Sequence, residues 1–136
     1  LIIKMISIAL VALRINSHNP NQAALQIFDV KQEKVIKQSP LSSDLQESIM
    51  QLLQSSPAIY GNIDMNPKSG LILHVQFDKP VKLSSAIYPD LVKEVYFFLE
   101  PGLQPKSLMF FQSTKKFIVV VLKGDSNKFI TQNNLP

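Results

Sequence analysis

Three unbroken apolar runs crowd the C-terminal half of the chain and limit what it can fold into. Val95-Tyr96-Phe97-Phe98-Leu99, Leu108-Met109-Phe110-Phe111 and Phe117-Ile118-Val119-Val120-Val121-Leu122 are short and rich in β-branched and aromatic side chains, the signature of strands rather than helices. Their lack of alternation is expected of strands covered on both faces. The links between them are brief. Glu100-Pro101-Gly102-Leu103-Gln104-Pro105 sets proline and then glycine at the middle of a turn, and Gln112-Ser113-Thr114-Lys115-Lys116 has hairpin length. Neighbouring strands joined in this way form an antiparallel meander, which becomes the centre of the sheet.

Upstream, Leu25 to Ile36 reads as two strand-like runs around the polar turn Lys31-Gln32-Glu33-Lys34, a β-hairpin without glycine at its turn. After Pro40, Ser43-x-x-Gln46 supplies a capping box, with Asp44 and Glu47 in the first turn. Leu45, Ile49, Leu52 and Leu53 then fall on one helical stripe, and Ser55-Ser56-Pro57 ends the helix. Asn66-Pro67-Lys68-Ser69-Gly70 turns the chain into Leu71–Phe77, a half-buried strand whose Ile72, His74 and Gln76 form its less apolar face. Asp78-Lys79-Pro80 closes that strand, Val81-Lys82-Leu83 adds an edge piece, and Pro89-Asp90-Leu91-Val92 suits a helical turn. Thr131–Pro136 reads as a loose tail.

These elements predict an α+β fold: an antiparallel meander of about four to six strands with one amphipathic helix packed on a face. The 136 residues suit one domain. Its expected organisation is an apolar segment at 1–15, a polar linker at 16–24, the α+β domain at 25–124 and a C-terminal tail at 125–136.

The segment Leu1–Ile15, LIIKMISIALVALRI, is broken only by Lys4, Ser7 and Arg14. Its stretch Met5–Leu13, interrupted only by Ser7 and with a basic residue before it, suits the core of a secretory signal or part of an anchor, although Arg14 and Ile15 stand where small cleavage-site residues belong. The other expectation is buried structure, with this segment or a second copy of the chain covering the open face of the sheet. Under the first reading the domain is extracytoplasmic or membrane-associated through Leu1 to Ile15; otherwise it is cytoplasmic.

Chemistry leaves a thinner trace. The absence of cysteine removes disulfides, thiolate metal sites and thiol nucleophiles. Gly61, Gly70, Gly102 and Gly124 fit neither a phosphate loop nor a dinucleotide fingerprint. His18 and His74 belong to no HExxH pattern, so no metal ligand is assigned, no cofactor is expected, and His74 reads as a surface or hydrogen-bonded strand residue. Asp64, Asp78, Asp90, Glu94 and Glu100 sit near element ends, the remaining route to a carboxylate-dependent hydrolase. The net charge of +4 rests on scattered lysines and the single arginine Arg14, a weak match to nucleic acid. Phe97, Phe98, Phe110, Phe111 and Phe117 beside Lys93, Lys115 and Lys116 superficially suit a base-stacking platform, but core packing explains them better.

Within Ala58–Asn66, Tyr60, Asn62 and Asp64 form the candidate binding loop, since it mixes an aromatic ring with hydrogen-bonding side chains. No catalytic residue is assigned. The expected function is a small interaction or ligand-binding module, exported or membrane-tethered, for an unknown protein or small ligand. A cytoplasmic nucleic-acid-binding protein is the alternative, and the hydrolase a weaker one.

Overall fold

The computed structural model describes residues 22–55, 58–59, 66–83, 88, 90–113 and 117–136. The candidate loop residues Tyr60, Asn62 and Asp64 and the segment Leu1–Ile15 lie outside them. Strands β1 (Ala24–Asp29) and β2 (Lys34–Pro40) form the expected hairpin. Its turn manages without glycine because Glu33 takes a positive φ of 52° and the Asp29 carboxylate accepts from the Gln32 backbone N–H at 2.9 Å.

Helix α1 (Ser43–Leu53) follows. It starts one residue before the expected capping box: Ser42 is the N-cap, and its hydroxyl accepts from the Leu45 N–H at 3.2 Å. The buried stripe is correspondingly narrower. Leu45, Ile49 and Leu53 repeat every four residues and face the sheet, while Leu52 lies off that line and is only partly buried. At the other end, the Ser55 hydroxyl donates to the Leu52 carbonyl at 2.6 Å and the Tyr88 hydroxyl to the Leu53 carbonyl at 2.7 Å, satisfying acceptors that the helix cannot pair itself.

The remaining elements are β3 (Ala58–Ile59), β4 (Leu71–Val81), β5 (Val92–Leu99), β6 (Lys106–Phe111), β7 (Phe117–Val121) and helix α2 (Ser126–Gln132). Among the described residues the sheet has the order β2-β1-β4-β5-β6-β7-β3, with every neighbouring pair antiparallel. This is the α+β architecture expected, with β4 to β7 as its meander. Because β2 and β3 lie at opposite edges, α1 and its connections carry the chain from one edge to the other across one face.

Three local expectations are corrected. β4 does not close at Asp78-Lys79-Pro80 but continues to Val81, with an irregular register against β5 that accommodates the proline. In place of a helical turn, Val92 opens β5, and a bulge between Val92 and Glu94 keeps Val92 on the same side as Val95. The chain beyond Gly124 forms α2, capped by the Asp125 carboxylate on the Asn127 N–H at 3.0 Å, and Phe129 packs against Phe97 with ring centroids 6.4 Å apart. A helix of seven residues with one buried aromatic carries too little periodicity to stand out in a sequence.

Alternation sorts the strands onto two faces. The helix-side face presents Leu25, Ile27, Leu73, Val75, Val95 and Phe97 to α1 and α2. The second face gathers Phe28, Ile72, Tyr96, Phe98, Leu108 and Val119 into a separate buried cluster. β4 is therefore buried on both faces along Leu71–Val75, not half-buried.

Candidate functional site

The polar residues that matter stand on the second face. Antiparallel register puts Gln26 of β1 opposite His74 of β4, and His74 opposite Tyr96 of β5, so their side chains form one row across three strands. Glu94 is diagonal to His74, two residues before Tyr96 on the same strand and the same face.

His74 is 2% exposed, and both its ring nitrogens are engaged. Nε2 lies 2.7 Å from the Glu94 Oε2, and Nδ1 lies 3.2 Å from the Gln26 Oε1. Each contact lies within hydrogen-bond distance, and which ring nitrogen donates depends on the imidazole tautomer. The His74–Glu94 contact is thus a buried polar link between β4 and β5.

The Tyr96 ring lies flat on the imidazole, with centroids 4.2 Å apart and planes 2° from parallel. Tyr96 meets Phe110 edge-on at 5.9 Å, and Phe110 meets Phe117 at 5.9 Å. This ladder of four rings steps from the middle of the sheet to β7, where Phe117 is 48% exposed. The outer ring thus stands in water while the inner one is fixed by hydrogen bonds.

The arrangement holds no complete hydrolytic set among the described residues. A histidine whose two nitrogens already have partners has none left to activate a serine. The buried Ser107 is no candidate, since it lies between Phe97 and Val120 on the helix-side face. Of the acids singled out by position, Asp90 is spent on structure: its carboxylate accepts from the backbone N–H groups of Leu91 and Ser113, each at 2.7 Å. Those bonds, Ser113 first, hold its carboxyl below the ordinary carboxylate value. Asp78 accepts from the Lys79 N–H and Glu100 from the Lys68 N–H. Glu94 in β5 and Glu100, one residue past its end, are six positions apart along extended chain, about 20 Å, far beyond the separation of a carboxylate pair. Among the described residues no group of three or more histidine and acidic side chains is placed to hold a metal ion.

Sequence reasoning placed His74 on its strand but gave it no partner. The only signal was positional: a histidine and a glutamate on adjacent strands, visible once the register is known. Comparison of the chain with known protein families, with curated proteins and with solved structures returns no match.

Proposed function

We propose that this chain is a small interaction module that receives an unidentified protein or small ligand at the open end of its aromatic ladder. The observation that carries the reading is the step from buried His74, through Tyr96 and Phe110, to Phe117 at 48% exposure. Rings fixed from behind lose little freedom when something packs on them, and a planar apolar group finds both area and edge-to-face geometry there. His74, Glu94 and Gln26 serve as positioning residues, because they hold the inner ring on which the others stack. The nucleic-acid alternative has less support, since Phe97, Phe98 and Phe111 are buried and a stacking platform needs rings open to bases.

The test uses the full chain with fluorine-labelled phenylalanine and N-acetyl-tryptophanamide as the first probe. Binding at the ladder shifts the Phe117 and Phe110 resonances, and Phe117→Ala abolishes the response. Shifts that persist unchanged in that variant, or none at millimolar probe, refute the site.

A second reading concerns location and rests on the composition of Leu1–Ile15, which suits a signal or anchor. It puts the module at or beyond a membrane. No helix among the described residues is long and apolar enough to cross one. Fractionation with external protease tests the placement: a wholly soluble, unprocessed intracellular chain removes it.

A further inference from the structure

Strand β2 stands at one end of the sheet order and, among the described residues, pairs with β1 alone. In an antiparallel edge strand every second residue turns its N–H and C=O away from the one neighbour, so β2 offers an unpaired backbone row along its seven residues. Pro40 brings no N–H, but it is the last residue and leaves Lys34 to Ser39 able to pair. At the opposite edge β3 is two residues long, too short to hold a strand.

Side chains make the edge selective. The hairpin register sets Lys34 opposite Asp29 and Lys37 opposite Ile27, with Ile36 as the extra residue between the pairs Phe28–Val35 and Ile27–Lys37. Three positions apart on a regular strand, two side chains stand on opposite faces. The bulge cancels that alternation. Lys34 and Lys37 face β1 residues only two positions apart, so both stand on the helix-side face, about 7 Å from each other. Both are exposed, and neither has an ion-pair partner among the described residues. Asp29, opposite Lys34, is engaged instead by the backbone N–H and side-chain amide of Gln32 at 2.9 and 3.2 Å.

Lysines, a bulge and a proline also keep sheet edges from pairing with their own kind. That protection depends on the sign of the charge on the incoming strand. A like-charged strand is repelled, whereas one with acids at alternate positions carries two carboxylates on one face about 7 Å apart, in step with the two ammonium groups. No described strand of this chain carries two acids, so a second copy does not supply the match.

We propose that the free edge of β2 receives an extended segment of another protein with acidic residues at alternate positions, which adds to the sheet as a further strand. Main-chain hydrogen bonds supply its affinity, and Lys34 and Lys37 fix its register. This surface lies five strand spacings from β7 and Phe117, about 24 Å, and is independent of the ligand site proposed there.

Two heptapeptides of one composition, acetylated and amidated at their ends, test it on the full chain. Thr-Val-Glu-Val-Glu-Val-Thr has its acids on one face, and Thr-Val-Val-Glu-Glu-Val-Thr has them on opposite faces. Amide resonances and hydrogen exchange are expected to show the first peptide protecting N–H groups within Lys34 to Ser39. It binds at least about threefold tighter than the second, and Lys34→Gln combined with Lys37→Gln removes the difference. Equal affinities, a difference that survives in the double variant, protection confined to other strands, or no binding at millimolar peptide overturns the proposal. Protection of β2 that grows with protein concentration in the absence of peptide, together with a dimer in sedimentation, overturns it in favour of a second copy.

Discussion

Replacing His74 and Glu94 by leucine, singly and together, measures whether the pair acts as a unit. His74→Leu takes the 2.7 Å partner from a carboxyl group whose side chain is only 11% exposed, and breaking a buried pair by removing one member costs about 3–5 kcal/mol. Glu94→Leu is milder, because the imidazole keeps its contact with Gln26; an unmet hydrogen bond in a buried site costs about 1–3 kcal/mol. With both replaced, neither member of the pair is left unmet and leucine supplies apolar volume, so the double variant lies within about 1 kcal/mol of the parent. The singles therefore sum to about 4–8 kcal/mol against a double near zero, a coupling of several kcal/mol. Urea denaturation of the full chain at neutral pH, followed by circular dichroism, reads these differences provided the m-values agree. Additive single effects, within about 0.5 kcal/mol, would show that the two groups do not depend on each other.

Three further outcomes follow from the packing. Leu53, 0% exposed, loses three carbons in Leu53→Ala, about 2.4 kcal/mol of transfer plus a cavity term, or roughly 3–5 kcal/mol in all; Leu52→Ala, at a partly buried position, should cost clearly less in the same thermal or urea melts. Tyr88→Phe removes the donor to the Leu53 carbonyl and costs about 1–2 kcal/mol. Burial raises the Tyr88 hydroxyl above its ordinary 10.0, so its contribution is intact below pH 10 and drains away above it; alkaline melts should show a shallower decline in the phenylalanine variant. Asp90 is the opposite case: its lowered carboxyl stabilises the fold above the ordinary carboxylate range, and that share is lost as the pH falls through it. Asp90→Asn should flatten the acid limb of the stability profile, and an unchanged limb would remove Asp90 from it.

What could be read from the sequence was what local rules determine. The apolar runs around Phe97, Met109 and Val120 became central strands because uninterrupted β-branched and aromatic stretches need cover on both sides. Pro101-Gly102 became the expected turn, with Gly102 at φ 85° and the Leu103 N–H bonded to the Glu100 carbonyl at 3.0 Å. Errors of one residue arose where two local solutions compete: Ser42 and Ser43 are both good caps, and only packing of Leu45, Ile49 and Leu53 on the sheet selects the former. Gly70 shows the same dependence on distant chain. Its turn signal was plain, yet a Cβ there would meet the Leu99 carbonyl oxygen of another strand, a constraint no local pattern announces.

The site was illegible for a stronger reason. His74 and Glu94 are twenty positions apart, and nothing in either strand marks them as partners. Whether they meet depends on strand order, on register and on the bulge at Val92, which together put Glu94 on the second face, one diagonal from His74. A slip of one residue in β5 would turn Glu94 and Tyr96 to the helix-side face and bring Val95 toward His74. The hydrogen-bonded row Gln26–His74–Glu94 thus opposes that slip: the wrong register leaves a buried imidazole without its acceptor and places a carboxylate against α1 and α2. A polar row in an apolar face lowers the stability available from packing and raises the energy of the misregistered sheet further. On this argument the pair specifies which side of β5 faces which layer, and so holds the ladder ending at Phe117 in place.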